Sequence, residues 1–237
     1  MNRAEEVLKG LDMLYPDAHC ELDYRNIYEL TVAVILSAQT TDASVNRVTP
    51  ALFAAYPDIA ALAQADTAEI EGYIRSLGLY RNKARSIHAM AVKCAADFDD
   101  TVPENRKDLM SLPGVGRKCA NVILAEGFGV PAMPVDTHVE RVSKRLGLAK
   151  RDDTVQEVEE KLRRKFPRER WIKAHHQLIF FGRYLCRARG PLCGQCPFTE
   201  LCRYENKAGS AGFCVYSSMM TQHPMLVFAG AMRPLSS

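Results

Sequence analysis

The stretch Leu109-Met110-Ser111-Leu112-Pro113-Gly114-Val115-Gly116-Arg117-Lys118-Cys119-Ala120-Asn121-Val122-Ile123-Leu124 leaves the backbone few choices. Leu109 and Leu112 end one helix, and Pro113 stops it because proline lacks an N–H and fixes φ. Gly114 and Gly116 flank Val115 in a turn too tight for side chains, where glycine adopts unusual φ at no steric cost. Arg117 starts a second helix whose inner face carries Ala120, Ile123 and Leu124 at helical spacing. Ala120 is small enough for the two helices to cross closely. The pattern predicts a helix–hairpin–helix.

Such a turn has a chemistry. The first N–H groups of a helix lack internal partners, so the hairpin offers an anion site. The glycines let a phosphate approach, and that contact grips a nucleic-acid backbone without reading its sequence. Lys118 falls in the first turn of the second helix, where the positive end of the helix dipole works against an ammonium ion. A lysine held that way can act as an amine nucleophile. For a lone hairpin, a solvated lysine that only touches phosphate is the simpler reading.

The chain has 237 residues, enough for one large domain or two small ones. Its 47% hydrophobic and 25% charged content is that of an ordinary globular protein. A net charge of +3 means that nucleic-acid affinity needs a local basic patch rather than a global field. Arg3, Glu5, Glu6 and Lys9 interrupt any apolar leader, and no stretch approaches a membrane span. The expectation is a cytoplasmic protein with no membrane partner, in which the eight cysteines do not form structural disulfides.

Along the chain the periodicity is helical throughout. Val7, Leu8, Leu11 and Leu14 mark a helix over 3–15 that ends before Pro16. Asn26 with Glu29 resembles a capping box opening Ile27 to Ala38, which is apolar nearly all round and therefore buried. Thr41 caps a helix running to about Tyr56, where Pro57 follows. Short helices are expected from Ile59 to Ala65 and from Thr67, the second ending at Gly78 as a C-cap. Tyr80 to Phe98 carries Ile87, Met90, Ala91 and Cys94 on one face. Asp136 is a good N-cap for Thr137 to Leu146, closed by Gly147. Val155, Val158 and Leu162 mark one more helix, and Glu169 to Leu185 a long one with Trp171, Leu178, Ile179 and Tyr184 as candidate core. No segment reads as a strand, so about ten helices make the fold class all-α.

Cys186, Cys193, Cys196 and Cys202 fall within seventeen residues as C-x6-C-x2-C-x5-C. Four thiols this close in a cytosolic chain point to a metal. Zinc modules usually pair two C-x2-C knuckles and this chain has one, while an irregular all-cysteine loop suits a [4Fe–4S] cluster as well. Spacing leaves the two nearly even. Arg187, Arg189 and Arg203 would place positive charge on this loop, or simply be solvated. Cys94 and Cys119 read as small buried hydrophobes, and His175 and His176 as packing or hydrogen-bonding residues.

The hairpin, Val135-Asp136-Thr137-His138 and the four-cysteine cluster together resemble the endonuclease III family of DNA repair enzymes. Ser37-Ala38-Gln39-Thr40-Thr41-Asp42 and Gly78-Leu79-Tyr80-Arg81-Asn82-Lys83-Ala84 are similar to that family's segments, and the match covers roughly residues 3 to 206. The resemblance implies a two-domain all-α fold. A six-helix barrel would span 22–133, and 1–21 with 134–206 would form an iron–sulfur domain. It implies a [4Fe–4S] cluster on Cys186, Cys193, Cys196 and Cys202. It also implies a bifunctional DNA glycosylase and abasic-site lyase acting on oxidised or ring-saturated pyrimidines in duplex DNA, working as a monomer at a bacterial-type nucleoid.

By the same resemblance Lys118 would attack the sugar C1′, and Asp136 would activate it or relay protons, although its cap position alone explains an aspartate there. Gln39 and Leu79 would fill the space of an extruded base, with His138 nearby. Gly114, Val115, Gly116 and Arg117 would hold the DNA backbone. Lys118 also argues against relatives that excise only adenine opposite oxidised guanine, which lack this lysine. The alternatives are a monofunctional glycosylase with another lesion preference, or a non-catalytic DNA-binding protein built on the hairpin. After Lys207 the family pattern stops, and 207–237 reads as a poorly ordered extension.

Overall fold

The structure is a computed structural model that describes residues 2–205; the 207–237 extension and Cys214 lie outside the described residues. All regular structure among the described residues is helical. In chain order the helices are α1 (Arg3–Leu14), α2 (Ile27–Leu36), α3 (Asp42–Ala55), α4 (Ile59–Ala63), α5 (Thr67–Ile74), α6 (Tyr80–Asp97), α7 (Arg106–Leu109), α8 (Arg117–Val122), α9 (Thr137–Arg145), α10 (Val155–Lys165) and α11 (Trp171–Phe180). Wide π-helical turns extend α8 through Ile123–Gly127 and α11 through Phe181–Leu185. In the second turn the Cys186 N–H donates to the Phe181 carbonyl, five residues back, at 2.7 Å.

Local rules explain most helix ends. Thr41, Asp58, Asp66, Asn105 and Asp136 accept backbone N–H groups as N-caps. Complete capping boxes stand at Asn2 with Glu5 and at Thr154 with Glu157. At Asn26 the box is only half made. The Asn26 side chain accepts from the Glu29 N–H, but the Glu29 carboxylate turns to the Arg25 N–H at 2.8 Å and to the Arg25 guanidinium. A buried carboxylate gains more from a guanidinium than from a second cap bond.

Buried apolar side chains form two clusters. The first gathers residues between Leu22 and Ala132, with α2 at its centre, where every residue from Tyr28 to Leu36 is buried. Ile87, Met90, Ala91 and Cys94 of α6 face the same core. The second joins Ala4, Val7, Leu8 and Leu11 of α1 to residues between Met133 and Phe198. Trp171, Leu178 and Ile179 are buried there, whereas Tyr184 is exposed. Polar contacts fasten α1 to this second cluster. The Arg170 Nη2 meets Asp12 at 2.6 Å, and the Gln177 Nε2 donates to the same Asp12 oxygen at 2.9 Å.

Ion pairs join segments of one cluster to segments of the other. Arg117 at the start of α8 pairs with Glu159 of α10, at 2.7 and 3.1 Å. The His176 Nε2 lies 2.7 Å from Glu126 Oε1. Arg183 reaches both Glu21 and, at 2.8 Å, Asp42 at the start of α3. No helix among the described residues is long and apolar enough to cross a membrane.

Candidate active site

The hairpin forms as its residues require, with one difference in detail. Helix α7 ends at Leu109, and tight turns carry the chain on, with Ser111 N–H bonded to Asp108 O and Leu112 N–H to Leu109 O. Gly114 takes φ +82°, and a Cβ there would stand 3.0 Å from Ile35 Cγ2 and from Ser86 Cβ. Gly116 has an ordinary φ of −86° and open space where a Cβ would be. Only Gly114 needs the left-handed region; Gly116 keeps the approach to α8 clear. No side chain caps α8, so its first N–H groups remain available. Val115 is buried and holds the turn in the first cluster. Ala120, Ile123 and Leu124 are buried as their spacing predicts, the latter two inside the π-helical turn.

Lys118 is half-buried in the first turn of α8, and among the described residues its amine makes no hydrogen bond or ion pair. Its charge bears on the Cys20 thiol and on His175. Burial pushes the Cys20 thiol up to about 11. His175 is buried, held well below the usual imidazole range by burial and then by the charge of His176 and Lys118. The Cys20, His175 and Arg183 neighbourhood has no local sequence signature, because its members come from separate segments.

Asp136 caps α9. Its Oδ1 accepts from the His138 N–H at 2.9 Å and the Val139 N–H at 2.8 Å, while Oδ2 carries no hydrogen bond among the described residues. Among the described residues no hydrogen bond joins Asp136 to Lys118; His175 lies in electrostatic reach of Lys118 and hydrogen-bonds the Pro134 backbone. His138 is half-buried, with Nδ1 3.2 Å from Arg141 Nη2, and burial lowers its pKa. Its Cβ lies where a Cβ on Gly182 would be only 2.9 Å away, so the π-helical turn has room for His138 because residue 182 is glycine.

Gln39 and Leu79 are both exposed and both left-handed, with φ of 54° and 58°. Left-handed backbone costs a side-chain-bearing residue roughly 1–2 kcal/mol, and such strain concentrates at working sites. The left-handed position before α6 was expected on Gly78 and falls instead on Leu79, which leaves the Leu79 side chain 58% exposed. Arg117 is engaged otherwise than a backbone clamp requires: its Nε and Nη2 hold Glu159, and only Nη1 is left over.

The four clustered cysteines are all free. Cys196 lies in electrostatic reach of Cys186, Cys193 and Cys202. Cys186 Sγ accepts from Arg145 Nη1, and Cys202 Sγ from the Tyr204 N–H, each at 3.4 Å. Such donors suit thiolates bound to a metal. Among the described residues no three His, Cys, Asp or Glu side chains close into a metal-binding group. The donor set itself, four free thiols on one loop with N–H donors to sulfur, fits an iron–sulfur cluster. Arg187, Arg189 and Arg203 beside it are exposed. Cys94 is fully buried, as expected of a small hydrophobe, whereas Cys119 is only partly so.

Residues 32–168 match the HhH-GPD superfamily of base excision DNA repair proteins. Endonuclease III of Bacillus subtilis (strain 168) is 49% identical over 212 residues, 90% of this chain and 97% of that protein. A solved non-covalent endonuclease III–DNA complex superposes with a TM-score of 0.82 at 50% identity, covering 86% of this chain and 96% of the other. A trapped covalent endonuclease III–DNA intermediate gives 0.81 at 50% identity, covering 86% and 97%. The hairpin, the capped α9 and the cysteine loop thus stand in a chain that belongs to the endonuclease III family of helix–hairpin–helix base excision repair proteins.

Proposed function

We propose that the protein is a DNA glycosylase and abasic-site lyase of base excision repair, acting on oxidised or ring-saturated pyrimidines in duplex DNA. The observation that carries this reading is the half-buried Lys118 amine at the mouth of an uncapped hairpin helix, with no partner among the described residues. The first cluster with the hairpin and the second cluster with the cysteine loop act as two domains, 22–133 and 1–21 plus 134–206, and DNA lies in the groove between them.

The backbone N–H groups around Gly114, Val115 and Gly116 hold a phosphate, and the free Nη1 of Arg117 is left to assist. A damaged base, which stacks or pairs poorly, leaves the duplex at reduced cost. Gln39 and Leu79 fill the gap, with His138 near the displaced sugar. Asp136 Oδ2 takes the proton that the Lys118 ammonium gives up. The freed lone pair of Nζ then attacks C1′, and the bond from C1′ to the base breaks, the base leaving with the electron pair and taking the proton that Asp136 now carries. The sugar ring opens to an imine on Nζ. Loss of a C2′ proton expels the 3′ phosphate by β-elimination, and water releases the product from the lysine.

Cys186, Cys193, Cys196 and Cys202 would hold the [4Fe–4S] cluster. Four thiolate ligands leave no open position, so its contribution is to fold the loop rather than to meet substrate. The protein works as a monomer on chromosomal DNA.

Borohydride trapping on a duplex with one oxidised pyrimidine tests the reading. A covalent protein–DNA adduct, absent in Lys118→Ala, is expected. Base release with no adduct would mean a monofunctional glycosylase, and duplex binding with neither would mean a non-catalytic protein.

A further inference from the structure

Lys83 stands where the sequence calls for an apolar residue. It shares the inward stripe of α6 with Ile87, Met90, Ala91 and Cys94. It is 5% exposed, and among the described residues no other lysine or arginine is buried. Burial lowers its pKa, and among the described residues no carboxylate is paired with it. A buried cation without a counter-ion works against folding. Its amine Nζ donates to the hydroxyl Oγ1 of Thr40.

That bond connects the turns of two of the left-handed residues, Gln39 and Leu79. The Lys83 N–H donates to the Leu79 carbonyl at 3.1 Å, and the Asn82 N–H to the same oxygen at 3.0 Å. Thr40 closes the other turn, its N–H bonded to Ser37 O at 3.1 Å across Ala38 and Gln39. Its hydroxyl also leans on the Ala38 carbonyl at 3.3 Å. One residue is therefore tied through its backbone to Leu79 and through its amine to the turn that presents Gln39. No side chain caps α6 at Leu79, so its carbonyl bonds to Asn82 and Lys83 are the helix-start contacts that fix it.

We infer that Lys83 is a positioning residue that yokes Gln39 to Leu79, so that both enter the duplex as one unit when a base is extruded. The inference rests on the proposed glycosylase reading for its substrate, and on geometry for the yoke. Lys83 touches no substrate; it sets the spacing of two residues that do. A buried cation is kept at the cost of stability because an apolar residue could pack the stripe but could not reach across to Thr40.

The test uses the full-length protein with Lys83→Met, which keeps the length and packing, and Thr40→Val, which removes the acceptor. Lys83→Met is expected to melt at or above the wild-type temperature, since an unpaired buried charge is gone. Single-turnover base release from a fully paired lesion duplex should nevertheless fall by about tenfold or more, the scale set by small misplacements of positioning groups. Cleavage at a ready-made abasic site in single-stranded DNA, which needs no base extrusion, should stay within about twofold of wild type, short of that tenfold scale. Thr40→Val should show the same split, and the double variant should be no worse than either single one, as for partners in one interaction. Independently of turnover, a duplex carrying 2-aminopurine opposite an abasic site should brighten on binding wild type and less so on binding either variant. Full base release by Lys83→Met, equal losses on both substrates, or multiplying losses in the double variant would overturn the yoke. Absence of base release in the wild type, with the 2-aminopurine response intact, would overturn the glycosylase reading instead and leave the yoke standing.

Discussion

Asp136 uses Oδ1 for the cap of α9 and leaves Oδ2 without a hydrogen bond. These two roles separate by substitution. Asparagine caps as well as aspartate does, but its amide cannot accept the lysine proton. Asp136→Asn should therefore keep stability within about 0.5 kcal/mol while base release falls by a factor of about 10² or more, the range for loss of a proton-transfer group. Asp136→Ala should add a stability loss of about 1 kcal/mol from the lost cap. Urea denaturation and single-turnover kinetics on the two variants check this. Equal base release by Asp136→Asn and wild type would confine Asp136 to the cap. The cap was legible from residue order alone. The free second oxygen was not, because it depends on what else approaches the carboxylate.

The hairpin glycines differ in what they do for stability. Gly114 is left-handed and a Cβ would press on Ile35 and Ser86. Gly114→Ala should lose about 1–2 kcal/mol from the strained backbone and bind DNA more weakly because the turn itself shifts. Gly116 has ordinary φ and nothing within 4 Å of its Cβ position. Gly116→Ala should melt like wild type yet bind duplex DNA more weakly, since the methyl occupies the space through which a phosphate reaches α8. Melting curves paired with DNA titrations at one fixed salt concentration distinguish the two, because affinity varies steeply with salt. Undiminished binding by Gly116→Ala would remove the phosphate from this turn. The sequence alone places unusual φ on both glycines; the structure divides the roles, one for conformation and one for access.

Across the whole molecule, His175 and His176 lie where segments of both clusters meet, their rings 4.9 Å apart. The His175 Nδ1 has no partner, while His176 meets Glu126. Burial keeps His175 neutral in the folded protein well below 6.5. The unfolded chain binds a proton at that position once pH falls below about 6.5. Between that pH and the lower folded value the unfolded state holds more protons, so stability falls as pH falls, by up to about 1.4 kcal/mol per unit. Above pH 6.5 neither state binds the proton and the effect ends. Half-buried His138, shifted in the same direction, adds to the slope. Urea midpoints at pH 7.5 and 5.5 should show the loss, and His175→Gln should flatten it. A flat wild-type profile would mean that the imidazole is not held neutral.

The all-α class, the buried α2, the hairpin and the caps at Asn26, Thr41 and Asp136 were readable in the residue order. They depend on neighbours within about four positions, the reach of one helical turn. Departures came wherever a distant segment changed the balance. Arg117 turned to Glu159 across 42 residues, and His176 found Glu126 across 50. Leu79 rather than Gly78 took the left-handed position, and Lys83 sits in an apolar stripe with its amine on Thr40, 43 residues away. Periodicity and capping are local and survive in any helix that forms. Which charge is buried, which oxygen stays free and which residue bears the strain depend on what folding brings within a few ångströms, because desolvation and pairing are decided only there.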